Sequence, residues 1–72
     1  MSNKAPKDGT RGVFTHPHLP KMGTMMGRVE FDPFCGETLF MPDEKYHTRL
    51  DNLYGIEGEA GLFFEEGTFA TI

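Results

Sequence analysis

The chain has 72 residues, a net charge of −4 and one cysteine, which limits it to one small domain and excludes a disulfide within the chain. A domain of this size buries only about 60% of the surface that its unfolded chain exposes, so its own core is a marginal source of stability. Small domains usually gain stability from disulfides, a metal or a partner. With Cys35 as its one thiol, we expect the protein to assemble with a partner inside a reducing compartment.

Targeting segments are not predicted. No hydrophobic run follows Met1, and no apolar segment approaches the roughly 20 residues that span a bilayer. We therefore expect an intracellular, non-secreted protein that does not contact a membrane. The seven phenylalanines are too many for a disordered chain.

Charge is distributed unevenly along the chain. Residues 1–28 carry five basic residues and one acidic residue, for a net charge of +4. Residues 29–72 carry two basic and ten acidic residues, for a net charge of −8. This asymmetry suits a basic segment that lies on an acidic surface of a neighbouring protein, a sister subunit or a nucleic acid.

The first part of the chain, residues 1–27, predicts an extended basic arm. Residues 1–12 hold no large apolar side chain after Met1, and segments of this kind are disordered when they are alone in water. Residues 13–15 predict at most a short strand. The arm therefore needs a neighbouring surface to become ordered.

The second half of the arm suggests contact with a partner. Two prolines in residues 16–20 favour an extended, polyproline-like conformation. Residues 21–27 place three methionines between two glycines, a pattern that favours neither helix nor strand. Because methionine is flexible and adaptable, we expect these side chains to fill an irregular groove on the partner.

Two strands are predicted next. In residues 28–34, Val29 and Phe31 alternate with charged residues, as in a half-buried strand. Pro33 ends this strand or marks a sheet edge. Residues 36–41 predict a second strand that follows a glycine turn.

Residues 42–54 predict a helix of about three turns. Its apolar residues recur at i, i+4, i+7 and i+8 and form one stripe: Tyr46, Leu50, Leu53 and Tyr54. Pro42 suits the first helical position. Gly55 suits the left-handed residue that follows the last turn.

The last segment predicts a β-hairpin over residues 62–72, after a flexible acidic connector at residues 57–61. The expected fold is therefore α+β, with a small antiparallel sheet, one covering helix, the arm, and an acidic body over residues 28–72. The predicted core consists of Val29, Phe31, Phe34, Leu39, Phe40, Tyr46, Leu50, Leu53, Leu62, Phe64, Phe69 and Ile72.

Candidate metal ligands are present, but their spacing matches no common site. They are His16, His18, Cys35 and His47. Zinc sites combine nitrogen and sulfur ligands, yet Cys35 has no second cysteine near it. His16 and His18 with the methionines would suit copper(I), but apolar contacts explain the methionines more simply. We predict no metal and no cofactor.

Catalytic chemistry is not predicted either. Cys35 and His47 would form a nucleophile and its base, but nothing in the sequence brings them together. Acidic neighbours of Cys35 do not lower the pKa of a thiol. The glutamate pairs at residues 57–59 and 65–66 match no calcium loop and suit solvated turns.

Nucleic-acid binding is the remaining use of the basic arm. Its five cations are dilute over 28 residues, and the acidic body would be repelled by phosphates. No glycine-rich phosphate loop is present. Nucleic acid is therefore an improbable partner.

The sequence predicts a non-enzymatic structural subunit whose arm clasps a larger protein assembly or sister subunits. A cement or decoration subunit of a virus particle is the most concrete form of this hypothesis. The alternatives are a small acidic regulator or inhibitor that binds a basic protein site, and a small metal-binding protein. The predicted partner-binding residues are Phe14, His16, His18, Leu19, Met22, Met25, Met26, Phe69 and Ile72.

Overall fold

A computed structural model describes residues 6–72 of the chain. Within this range the chain forms five strands and one α-helix, joined by short 3-10 turns. The strands are β1 at Arg11–Thr15, β2 at Thr24–Asp32, β3 at Glu37–Pro42, β4 at Leu62–Phe63 and β5 at Thr68–Thr71, and helix α1 is His47–Tyr54. The expected small α+β fold, with an antiparallel sheet and a helix, is confirmed.

The strands of the described chain form one antiparallel sheet in the order β4-β3-β2-β1-β5. Phe14 pairs with Met25, and Val29 pairs with Phe40. Because side chains alternate along a strand, these four residues share one side of the sheet, which we call the core face. The other side, which we call the open face, has Arg28 at its centre, with the apolar residues Val13, Met26, Leu39 and Met41 around it and Phe63 beside Leu39.

Helix α1 packs on the core face through Leu50, which is fully buried. A 3-10 turn at Glu44–Tyr46 precedes the helix, and Gly55 ends it in the left-handed conformation with φ of 68°. The N–H of Ile56 then donates to the carbonyl oxygen of Leu50 at 3.3 Å, as in a glycine-capped helix end. The predicted cap is confirmed, but the helix starts later than predicted because Pro42 is the last residue of β3.

Two tyrosine hydroxyls of the helical segment tie it to the rest of the chain. The hydroxyl of Tyr46 accepts a hydrogen bond from the backbone N–H of Met26 at 3.2 Å. The hydroxyl of Tyr54 accepts one from the backbone N–H of Lys21 at 2.9 Å. The helix is therefore positioned by directional bonds as well as by the burial of Leu50.

The core lies between the sheet and the segments that cover its core face. Its buried residues are Phe14, Leu19, Met22, Met25, Phe40, Leu50 and Leu62. The rings of Phe14 and Phe40 stack with their centroids 4.5 Å apart. Phe64 and Phe69 pack beside them with centroids 5.4 Å apart, so the centre of the core is largely aromatic.

The predicted core is only partly confirmed. Val29, Phe40, Leu50 and Leu62 are buried as expected, whereas Phe31, Phe34, Leu53 and Ile72 are exposed. Phe34 lies in the turn between β2 and β3, and Ile72 follows the last residue of β5. Both positions leave the side chain without a covering element, which explains their exposure.

The predicted arm over residues 1–27 is not confirmed. Residues 1–5 lie outside the described residues, but residues 11–15 form β1 and residues 24–27 belong to β2. Strand β1 lies between β2 and β5. This part of the chain is therefore inside the sheet and does not extend away from a separate body.

Glycines within β1 and β2 explain why the sequence pattern did not fully predict these strands. Gly12 of β1 and Gly27 of β2 are cross-strand partners. A side chain at Gly12 would collide with the ring of Phe69, and one at Gly27 would collide with the ring of Phe40. Aromatic rings often cover glycine in a sheet in this way. In the sequence these glycines suggest a loop, whereas in the structure they are required because the rings pack closely on them.

The predicted C-terminal hairpin is not confirmed either. Strand β4 pairs with β3 and β5 pairs with β1, which places them at opposite edges of the sheet. The 3-10 turn at Phe64–Glu66 joins them, and Phe64 packs against the core. This burial keeps the connection on the core face, so the segment crosses the sheet and does not fold back on β4.

Candidate functional site

Four of the nine predicted partner-binding residues lie in the core. Phe14, Leu19, Met22 and Met25 are buried, and all of them belong to the cluster on the core face. Their burial leaves these side chains no surface with which to bind a partner. The interpretation of the methionine segment as a contact surface therefore fails for Met22 and Met25, because both fill the protein's own core.

His16 is also buried, and both of its ring nitrogens have partners. Nδ1 accepts a hydrogen bond from the backbone N–H of His18 at 3.1 Å, and Nε2 lies 3.2 Å from Oε1 of Glu66. With Nδ1 accepting, the proton is on Nε2 and donates to Glu66. The ring therefore holds the turn after β1 against the segment before β5.

The other predicted binding residues retain some surface. His18 is exposed, with its ring centroid 5.6 Å from that of His16. Phe69 is half-buried in β5, and Ile72 is exposed beyond it. Met26 is half-buried and is the one residue of this set near the centre of the open face.

The open face carries apolar side chains on either side of Arg28, which lies at the middle of β2 between Arg11 and Met41. Val13, Met26, Leu39 and Met41 are half-buried there, and Phe63 lies beside Leu39 with half of its surface exposed. The hydroxyls of Thr15 and Thr24, 3.2 Å apart, lie towards one end of this face. This composition suits a surface that another protein covers.

Two ion pairs lie among the apolar residues of the open face. The guanidinium of Arg11 donates to both carboxylate oxygens of Asp43, at 2.8 and 3.1 Å. The Nε of Arg28 donates to Oε2 of Glu30 at 2.7 Å. The hydrogen bonds from Arg11 lower the pKa of Asp43, and the same pairing raises the pKa of Arg11.

The end of β2 and the turn that joins it to β3, residues 31–36, form what we call the hairpin tip. Oδ1 of Asp32 accepts a hydrogen bond from the backbone N–H of Phe34 at 2.9 Å. Oδ1 of Asp8 accepts a hydrogen bond from the backbone N–H of Phe31 at 3.1 Å. The carbonyl oxygen of Asp32 accepts the N–H of Gly36 at 2.8 Å. These bonds hold the turn in a conformation in which Phe34 is 99% exposed.

Cys35 takes part in holding the hairpin tip. Its thiol donates to Oδ2 of Asp32 at 3.2 Å. This hydrogen bond lowers the pKa of Asp32 and raises the pKa of the Cys35 thiol. Because the thiolate is the reactive form of cysteine, the arrangement disfavours nucleophilic chemistry at Cys35.

The candidate nucleophile and base are not brought together. Cys35 precedes β3, whereas His47 follows it and has Nε2 3.1 Å from the carbonyl oxygen of Pro42. Strand β3, whose six residues span about 17 Å at 3.3 Å per residue, lies between them in the chain. Among residues 6–72, no group of three or more His, Cys, Asp or Glu side chains is arranged to hold a metal ion.

An open depression of about 340 Å³ joins the hairpin tip to the open face. Its apolar lining includes Phe31, Phe34 and Leu39, and its acidic lining includes Glu30 and Glu59. Exposed aromatic rings beside carboxylates and an apolar sheet face make a surface suited to contact with another macromolecule.

The sequence interpretation missed Phe34 and Phe63 as surface residues. Phe34 lies in the run Asp-Pro-Phe-Cys-Gly, whose residue types are typical of a turn and keep a side chain at the surface. Phe63 follows the buried Leu62 in the same strand, and alternation requires one of the two to leave the core. Both patterns were visible in the sequence.

No protein-family model, curated protein or solved structure matches this chain. Within the part of the chain that the structure covers, no helix has the length and apolar character needed to cross a membrane. The function is therefore inferred from the surface of the chain itself.

Proposed function

We propose that this chain is a non-enzymatic interaction subunit that binds a larger protein assembly through the open face and the hairpin tip. The observation that carries the proposal is Phe34, a large apolar side chain held almost fully exposed by a hydrogen-bonded turn. Aromatic residues presented in this way are typical anchors of protein interfaces. A cement or decoration subunit of a virus particle is one form of such a protein.

The surroundings of Phe34 enlarge the apolar surface. Phe31 and Phe63 are about half exposed, at 52% and 50%. Phe63 lies beside Leu39, which lines the depression at the hairpin tip. Adjacent exposed apolar side chains mark interaction sites more strongly than single ones do.

The fixed conformation of the hairpin tip favours binding. The carboxylate of Asp32 accepts hydrogen bonds from the Phe34 N–H and the Cys35 thiol. A turn that already has its bound conformation loses less conformational freedom on association. Phe34 can therefore enter a pocket on the partner without a further ordering cost in this turn.

The ion pairs of the open face supply specificity. The Arg11–Asp43 and Arg28–Glu30 pairs are held on and beside the strands, where they lie among apolar residues. Charges at an interface select partners and orientation more than they add affinity. Apolar residues interspersed with ion pairs therefore suit selective protein binding.

Site-specific crosslinking tests the proposal. A photo-crosslinking phenylalanine analogue at position 34 of the full chain is irradiated in extract from the source cells, and crosslinked proteins are identified by mass spectrometry. The same analogue at Thr48, an exposed position of α1, is the matched control. We expect one protein to be crosslinked from position 34 and not from position 48.

The crosslinked protein is then purified, and its affinity for three variants is measured. Phe34→Ser and Phe63→Ser should each weaken binding about tenfold or more, as expected for anchor residues, while Thr48→Ser should not. Equal affinity of all three variants, or identical crosslinks from both positions, would contradict the proposal.

A second candidate function is an acidic binder of a basic protein site. It is favoured by a second depression of about 340 Å³ whose lining includes the acidic residues Asp51, Glu57 and Glu59. Exposed charges lose their attraction at high ionic strength. If this surface binds the partner, the affinity for the partner should fall steeply between low and physiological salt. The Glu57→Gln variant should also bind the partner more weakly than the parent chain. Binding through the open face should be much less sensitive to both changes.

A further inference from the structure

Among residues 6–72, no further strand pairs with the outer side of β5, which forms one edge of the sheet. On its inner side it pairs with β1, and the N–H of Ile72 donates to the carbonyl oxygen of Arg11 at 3.4 Å. Backbone groups alternate in direction along an antiparallel strand. The N–H and C=O groups of Phe69 and Thr71 therefore point away from the sheet.

This edge lacks the features that usually prevent pairing with another strand. Residues 67–72 include no charged residue and no proline, and charge, proline, bulges or very short strands are the common protective features. The opposite edge differs, since β4 has only two residues before the chain enters a 3-10 turn. Strand β5 is therefore the edge that favours pairing.

We infer that β5 pairs with β5 of a second copy of this chain, antiparallel, about a two-fold axis at Ala70. Phe69 of each copy then lies opposite Thr71 of the other, and their outward N–H and C=O groups exchange hydrogen bonds. The two Ala70 residues form a non-hydrogen-bonded pair, in which the Cα atoms approach to about 4.5 Å. The small side chain of alanine fits this close approach.

The register follows from backbone groups that are already used. A two-fold axis at Phe69 would bring Gly67 opposite Thr71 and require the N–H of Gly67. That N–H already donates to the carbonyl oxygen of Phe64 at 3.3 Å. The axis at Ala70 uses only groups that face away from the sheet.

The charge distribution permits a second copy to pair at this edge. Two copies with a net charge of −4 each repel one another through most of their surfaces. Strand β5 is uncharged, and the nearest acidic residues along the chain, Glu65 and Glu66, lie outside the paired stretch. Self-pairing through β5 therefore avoids placing like charges directly opposite each other, which destabilises a sheet.

The dimer would have a functional consequence. The two-fold axis is perpendicular to the sheet, so the two open faces lie on the same side of one sheet of doubled width. A repetitive assembly would then be bound at two points, which raises the overall affinity without a new type of contact. The inference itself rests on β5 and does not require the proposed function.

Charge variants at the axis test the inference. Sedimentation equilibrium on the full chain from about 1 µM to about 1 mM should show a doubling of mass with concentration. Ala70 is exposed, so Ala70→Lys and Ala70→Glu should fold. The dimer affinity of each variant alone should be at least about tenfold weaker than that of the parent chain. An equimolar mixture of the two variants should restore the doubled mass. Thr48→Lys, which adds the same charge on α1, should dimerise like the parent chain.

Amide hydrogen exchange identifies the surface directly. The N–H groups of Phe69 and Thr71 should exchange rapidly in dilute protein and become protected as the dimer forms. The N–H of Ala70, which faces β1, should be protected throughout. A chain that stays monomeric at the highest concentration, or a dimer in which Phe69 and Thr71 stay unprotected, would overturn the inference. A dimer unaffected by the Ala70 variants would also overturn it.

Discussion

Phe14 and Phe34 are the same residue type in opposite environments. Phe14 is fully buried in β1, where its ring stacks on that of Phe40, whereas Phe34 is 99% exposed at the hairpin tip. The sequence suggested the reverse, because Phe14 lies in a polar segment and Phe34 follows a clearly alternating strand. The number of phenylalanines therefore indicates that the chain has a core, but it does not indicate which rings form it.

The two faces of the sheet extend the same comparison. On the core face, methionine and phenylalanine side chains are enclosed by α1 and the connecting turns. On the open face, Met26, Met41 and Phe63 keep part of their surface exposed. Methionine and phenylalanine residues therefore stabilise the fold on the core face, whereas residues of the same types on the open face are accessible for binding.

The strongest test of this comparison is Phe14→Ala. Removal of a buried ring leaves a cavity, and we expect the free energy of unfolding to fall by about 3–5 kcal/mol. Urea denaturation followed by circular dichroism measures the loss. The matched variant Phe34→Ala should change the free energy by no more than about 0.5 kcal/mol. Similar losses in the two variants would contradict the contrast between them.

Gly27→Ala tests the close packing between β2 and β3. The added methyl group would meet the ring of Phe40 and the carbonyl oxygen of Met41. We expect a loss of about 1–3 kcal/mol, as for other overpacked positions, in the same urea measurement. Thr24→Ala, at an exposed position of the same strand, is the control and should cost less. A neutral Gly27→Ala would show that the ring of Phe40 does not cover this glycine.

Tyr46→Phe tests the attachment of the helical segment to the sheet. It removes the acceptor of the Met26 N–H, and we expect a loss of about 1 kcal/mol, typical of one hydrogen bond. Faster exchange of the Met26 amide should accompany it. Tyr54→Phe should have a smaller effect, since the N–H of Lys21 is in an exposed setting and can bond to water. The opposite order of the two variants would argue against this attachment.

The smallest expected effect concerns the Arg11–Asp43 pair on the open face. Because the folded state lowers the pKa of Asp43 below the ordinary value of 3.8, the unfolded chain takes up a proton first as the pH falls. The pair therefore stabilises the fold above that value, and the contribution is lost as the pH falls through the lowered pKa of the folded state.

Asp43→Asn should reduce the change in stability between pH 5 and acid pH, measured by urea denaturation at each pH. Arg11→Met should give a similar reduction, because the hydrogen bonds from Arg11 are the main cause of the shift. An unchanged pH dependence in both variants would show that the pair does not contribute to folding in solution.

Local patterns predicted the elements whose burial is periodic. Alternation predicted the second half of β2, and the segment after the glycine turn predicted β3. The stripe from Tyr46 to Tyr54 with Gly55 predicted the helix and its end. The candidate binding surface was predicted poorly. Met26 alone of the predicted residues lies near the centre of the open face, because the interpretation assigned the polar, glycine-rich first third of the chain to an arm.

The sequence by itself determined that the chain is a small α+β domain with one helix, because helix stripes, caps and strand alternation depend on neighbours within a few residues. Only the tertiary structure decided that β1 lies inside the sheet and that β4 and β5 form opposite edges. The first outcome depends on rings from distant strands covering Gly12 and Gly27, and the second depends on the packing of Phe64 against the core. Contacts between residues so far apart along the chain leave no periodic pattern in the sequence.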